Sequence, residues 1–262
     1  MPRLVASLTF VLGLAAASGA WAVDITACGQ EVPARQTGVL MADLNCGWPT
    51  EEPSFGVKLG NHAILDLNGH SITGPRFAIY CPATCRIDGP GTVTGAYYGI
   101  WAFDTKASRA DVTGVTLFAN LGGIAASRGT LTDVTATDNV LAMDVRKLRG
   151  SNLTVTGCTG GSAYCVETKV GKVDGFQITG NAASLAIFQI TRSLTLENST
   201  VSGNEAPIGL LSYRRLQLEN STVTGHGVDL VSGTRPRVTN STCTLSSGPS
   251  IDHPGWDVCT DD

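Results

Sequence analysis

Asp144, Arg146 and Lys147 stand together in one short stretch. Glu167 with Lys169, Gln189 with Arg192, and Tyr213 with Arg214 and Arg215 follow at steps of about 22 residues. Such a set has a chemistry in common. Arg or Lys neutralises the carboxylate of a uronic acid, and Tyr, Lys or Arg can withdraw the proton beside it, so an acidic polysaccharide is the expected substrate or ligand. The same residues also read as a solvated face whose opposite charges pair across neighbouring strands. Tyr97, Tyr98, Trp101 and Phe103 crowd another stretch. Alternation turns Trp101 and Phe103 outward, where they either stack on sugar rings or lie under the N-terminal segment. His62 and His70 have no partner nearby in sequence and read as turn or surface residues.

These residues need a periodic scaffold to meet, and the chain carries one. Phrases such as SITG (71–74), TVTG (92–95), TVSGN (200–204) and TVTGH (222–226) recur around reference turns at Gly74, Gly95, Ala119, Asp138, Gly157, Gly180, Gly203, Gly225 and Leu245. Intervals of 19 to 24 residues mean a solenoid. Two residues before the reference, all nine positions are apolar, from Ile72 to Cys243, against a 42% hydrophobic composition. Five before it, every copy but Pro90 has Gly, Asn or Asp, the residues that tolerate a left-handed corner. Apolar residues spaced by two after each reference supply further strands.

A repeat of about 22 residues, at roughly 3.3 Å each, holds three short strands and three corners. Parallel stacking of such turns is overwhelmingly right-handed. The expected fold is therefore all-β, a three-sided right-handed parallel β-helix of about nine coils. A leucine-rich repeat lacks support, since its further leucine and helical side are missing, and hairpin dipeptides typical of a sandwich or propeller are sparse.

The expected organisation is a signal peptide at 1–22, an N-terminal cap at 23–55, the β-helix at 56–245 and a C-terminal cap at 246–262. Arg3, the apolar run Leu4 to Ala17 and the small residues Ala20 and Ala22 mark the leader, which is too short to span a bilayer. Export to the periplasm or outside the cell follows. The caps, with Trp48 and Trp256, would cover the exposed ends of the solenoid. The formal net charge of −4, more negative once Arg3 is removed, argues against nucleic acid as a partner. No membrane span and no cofactor are expected, and the chain reads as a monomer.

All eight cysteines follow the leader, as suits an oxidising compartment. Residues in the same or adjacent coils are within reach, which favours Cys28 with Cys46, Cys81 with Cys85, Cys158 with Cys165 and Cys243 with Cys259. A structural zinc site is the competing reading, but no paired CxxC motif or neighbouring histidine supports it, so no metal is expected. Asn152, Asn198, Asn220 and Asn240 satisfy the glycosylation pattern, yet all occupy the corner column, where stacked amides could bond to one another.

LDLNGHSITG (65–74), CRIDGPGTVTG (85–95) and LENSTVSGN (196–204), after CGQEVPARQTGVLMADLNC (28–46), resemble the secreted right-handed β-helix repeat proteins of bacteria in the pectate-lyase-like superfamily. The resemblance covers nearly the whole exported chain. It implies the fold, while the superfamily's lyases, hydrolases, epimerases and adhesins leave the reaction open. Of the polygalacturonase signatures, Gly225-His226-Gly227 matches one, which the repeat already explains, and the paired aspartates occur only at Asp261-Asp262. The calcium cluster and arginine of pectate lyases have no equivalent. Two classes remain: a secreted protein binding or acting on a polysaccharide, and a non-enzymatic surface or structural rod.

Overall fold

Left-handed backbone recurs at two places in each repeat, and these corners set the architecture. At the reference turns from Gly74 to Gly225, φ lies between 52° and 85°, and Ala119 and Asp138 adopt it despite carrying a Cβ. Five residues earlier, Gly69, Gly114, Asp133, Asn152, Gly175, Asn198, Asn220 and Asn240 have φ of 48° to 81°. The chain thus turns at the same places in every coil, and short strands are left between the corners.

The computed structural model of the chain describes residues 22–47, 54–159, 163–248 and 256–259, and these contain strands and turns but no helix. The strands stack in parallel as a β-solenoid of about 8 turns, a parallel β-helix. One column shows the stacking. Leu117, Ala136, Val155, Ile178, Val201 and Val223 are paired in register from each coil to the next, and each is fully buried.

Each coil has three faces. The first holds Tyr98–Ala102, Gly122–Ala126 and the start of Leu141–Thr156; the second follows with Arg128–Thr132 and its equivalents; the third has Thr135–Thr137 and its equivalents. Stacking begins earlier than the repeat intervals suggest. Val23–Ile25, Thr37–Leu40 and Leu44–Asn45 pair in parallel with later strands, and Leu44 heads the apolar column opposite Ile72. At the other end Trp256 donates its Nε1–H to the Ser232 carbonyl at 3.2 Å. Residues 1–21 of the expected signal peptide, Trp48, residues 249–255 and Asp261-Asp262 lie outside the described residues.

All eight cysteines are paired as Cys28–Cys46, Cys81–Cys85, Cys158–Cys165 and Cys243–Cys259. Four disulfides belong to an oxidising compartment rather than a reducing cytoplasm. No described helix is long and apolar enough to cross a membrane.

Polar ladders run through the interior beside the aliphatic columns. Asn120 with Asn139, and Asn181 with Asn204, follow directly after the reference turns and bond from coil to coil through their buried amides. The hydroxyls of Ser199, Ser221 and Ser241 accept amide hydrogens of Phe176, Ser199 and Ser221 in the preceding coils. The corner asparagines do something else. Asn152 and Asn198 are exposed and donate to Asp133 and Asp174, at 3.0 and 2.8 Å.

Candidate functional site on the first face

One outward ladder of the first face runs through Lys58, Tyr80, Trp101, Ala125, Asp144, Glu167, Gln189, Leu211 and Val231, each opposite the next in parallel register, and a second holds Phe55, Phe77, Tyr98, Gly122 and Leu141. Adjacent rungs are about 4.8 Å apart. Its aromatic end is continuous. The Trp101 ring lies 4.7 Å from Tyr98, 5.2 Å from Phe77 and 5.8 Å from Phe103. Asp104 fixes this surface by accepting hydrogen bonds from Trp101 Nε1, at 2.7 Å, and from the Tyr80 hydroxyl. That bond pushes the Tyr80 phenol up to about 12, with burial and the Asp104 charge adding to it. Trp101 and Phe103 are therefore half-buried against other aromatic rings and partly open to solvent.

The next coil is made of small residues. Gly122, Ala125 and Ser127 are buried because their neighbours on either side are large. A Cβ on Gly122 would meet the Tyr98 ring at 2.3 Å, so glycine is what lets the ring lie down there. Ser127 Oγ has no hydrogen-bond partner among the described residues. Above this floor the Arg146 guanidinium sits 4.2 Å from the centre of the Phe103 ring, a cation–π contact that spans the small coil.

Asp144 forms the far wall. Burial raises its pKa to about 6, the facing Glu167 carboxylate pushes the same way, and Arg146 opposes both. The Tyr98 phenol is also raised, chiefly by burial, then by Tyr97 and by Asp144. One coil on, burial followed by Tyr213 and Glu167 raises the Tyr164 phenol, which is hydrogen-bonded to Tyr213.

The raised carboxyl has a consequence for stability. An Asp144 pKa of 3.8 in the unfolded chain and about 6 in the fold means the native state takes up a proton between these values. Below about pH 4 both states are protonated and there is no penalty; above about pH 6 the native state bears the whole cost of a charged, half-buried carboxyl. Asp144→Asn should therefore raise the melting temperature at about pH 8 and leave it unchanged at about pH 3.5. Calorimetric scans at the two pH values check this, and a variant that melts lower at pH 8 refutes it.

The sequence-predicted residues divide between faces. Asp144, Arg146, Glu167 and Gln189 share the first face with Trp101 and Phe103, and Tyr213 joins them through Tyr164. Lys169 is exposed in the coil beside Arg146, while Arg214 is exposed at a corner and its carbonyl accepts from Ser232 and Thr234. Lys147 departs from the group, because it lines a cleft on the second face. His226 of the GHG phrase is internal: its side chain is fully buried, with Nδ1 3.1 Å from Asp229 Oδ1. Burial works against the Asp229 charge, but hydrogen bonds from the His226 ring and from the Thr244 and His226 amides hold the carboxyl below its ordinary value. The GHG histidine is thus a buried structural residue. Asp104, Tyr164 and the floor of small residues are site features missed in the sequence, whereas Tyr98 was noted only as one of a crowd of aromatics. The small residues Gly122, Ala125 and Ser127 would have been the signal, since the outward positions facing them, Tyr98, Trp101, Asp144 and Arg146, carry large side chains.

No family model matches the chain, and no curated protein or solved structure matches it either.

Proposed function

We propose that the protein is secreted and binds a polysaccharide laid along the first face, with Asp144 and Glu167 acting on it as a carboxyl pair. One observation supports this above the others: the aromatic surface ends two rungs from Asp144, with Ala125 between. Two rungs are about 10 Å. A sugar ring stacked on Trp101 and Tyr98 would bring its neighbour over Ala125 and against the carboxyls. Such an arrangement of apolar platform and convergent polar groups is the usual form of a ligand site.

The chemistry suits glycosidic bonds. Below about pH 6 Asp144 keeps a proton that it can give to a leaving oxygen, and Glu167 on the adjacent rung would serve as the second carboxyl that such hydrolysis requires. Two carboxyls beside the aromatic floor disfavour a uronate at that point, so a neutral stretch of glycan is the better fit for this face. Kinship with the pectate-lyase-like superfamily rests on the phrases at 65–74, 85–95 and 196–204 and belongs to the same proposal.

The test uses the oxidised, folded chain against neutral and acidic polysaccharides at about pH 5, following mobility in glycan-containing gels and new reducing ends. Trp101→Ala should weaken binding about tenfold or more. Asp144→Asn should retain binding and lose cleavage by about 100-fold. If the wild-type protein is retarded by no glycan, the reading fails and the solenoid is a structural rod.

A further inference from the structure

The second face carries a cleft of about 880 Å³ around which cations are gathered. Arg109, Arg128 and Lys147 occupy one outward ladder in three successive coils, and Arg149 and Lys172 sit opposite each other in the next ladder. Like charges on facing positions of neighbouring strands repel, so this array works against the fold that holds it. Between these outward positions Gly129, Gly150 and Gly171 face the core, where a Cβ would meet Val145, Leu153 and Leu194 at 2.9, 2.6 and 2.7 Å, so the outward side chains of the cleft are the cations themselves with Thr130 and Val170.

The charges are also incompletely matched. Arg109 is paired with Asp111 at 2.8 Å and Lys172 with Glu197 at 2.7 Å. Arg128, Lys147 and Arg149 have no carboxylate within 4.0 Å among the described residues, although acidic residues outnumber basic ones in the chain as a whole. A net negative protein that concentrates unpaired cations in one groove has a local preference for anions.

We propose that this cleft binds an acidic polysaccharide, whose carboxylates or sulfates are taken by Arg128, Lys147 and Arg149. Rungs spaced at about 4.8 Å present a regular row of cations, which suits a polymer bearing an anion on each unit. Arg binds carboxylate and sulfate through its planar fork, and Lys adds a point charge. The cleft lining has no aromatic side chain on which a base could stack, which favours a glycan over a single-stranded nucleic acid. The proposal is independent of the first face, since the two surfaces share no side chain.

The oxidised chain is titrated with polygalacturonate, with dextran sulfate, with uncharged dextran and with a single-stranded oligonucleotide. Binding to one or both acidic glycans, none to dextran, and a steep loss of affinity between about 50 mM and about 200 mM salt are expected. The polygalacturonate and dextran sulfate arms tell carboxylate from sulfate. Arg128→Glu with Arg149→Glu should weaken binding about tenfold or more, whereas Arg235→Glu, an exposed position elsewhere, should not. Wild-type protein gives a second readout that needs no variant: bound glycan should protect Lys147 and Lys172 from acetylation and leave Lys106 reactive. Absence of binding to both acidic glycans, tighter binding to the oligonucleotide, equal loss in Arg235→Glu, or unprotected Lys147 would each overturn the proposal.

Discussion

Replacing Asn181 by leucine is expected to remove about 4 kcal/mol of stability, although the two side chains are similar in size and the site is 1% exposed. Asn181 Nδ2 donates to the Val155 and Thr179 carbonyls, both at 3.0 Å, and to Asn204 Oδ1 at 2.9 Å. Its Oδ1 accepts from the Cys158 amide at 2.9 Å. Leucine can make none of these bonds. Each lost hydrogen bond contributes about 1 kcal/mol, and a buried amide left without an acceptor costs about 1 to 3 kcal/mol. Cys158 stands where its own coil would otherwise carry an asparagine, so its amide depends on the amide rung above. Denaturant titration of the oxidised proteins measures the difference. Asn198→Gly is the control: that residue is exposed, glycine readily adopts its φ of 49°, and the change should stay within about 0.5 kcal/mol. A loss below about 1 kcal/mol in Asn181→Leu would show that the ladder contributes little.

The contrast between these two asparagines marks how far the sequence could be read. Asn198 belongs to a column where the backbone must be left-handed, and that requirement restricts the residue type strongly enough to be visible in one chain. Asn181 follows directly after a reference glycine, in a column that also holds Asn120, Asn139, Asn204, Cys158 and His226. Several polar types can supply an acceptor there, so the column has no uniform composition to notice. The apolar columns and the disulfide pairs were legible because stacking leaves few alternatives. The interior hydrogen-bond ladders were not, since a polar residue near a turn is ordinarily exposed.

The sites follow the same division. Asp144 and Glu167 could be placed on one face because alternation and the repeat interval fix the direction of each. Lys147 could not, because the corner after Arg146 turns the chain onto the second face. Yet Arg109, Arg128 and Lys147 are separated by 19 residues each, the local repeat interval, and that spacing alone puts three cations in one ladder. The aromatic floor required the opposite signal, an absence of side chains at Gly122 and Ala125. Its value appears once Tyr98 is seen lying over the gap.

Phe176→Ala should cost about 3 to 5 kcal/mol, and the cause is the shape of the interior at one coil. Phe176 is fully buried, with its ring centre 5.8 Å from that of Phe188 and the planes inclined at 75°, an edge-to-face pair. It faces Leu153 in the preceding coil, while its amide bonds to Ser199 in the following one. The aliphatic column of Val115, Val134 and Leu153 therefore ends on the ring, and the serine ladder begins beyond it. No side chain on the serine side is large enough to fill the space if the ring is removed. Corners tied by backbone hydrogen bonds cannot close inward without breaking the stack, so most of the cavity should persist. Phe176→Leu, which retains much of the volume, should cost about 1.5 kcal/mol or less. A solenoid is held by contacts between nearest neighbours, and weakening one coil should uncouple the parts on either side. Calorimetry of Phe176→Ala should thus show a lower and broader transition, whereas Phe176→Leu keeps the wild-type width. An alanine variant within about 1 kcal/mol of wild type would mean that the coils yield around the missing ring, and the interior would then be softer than its register implies.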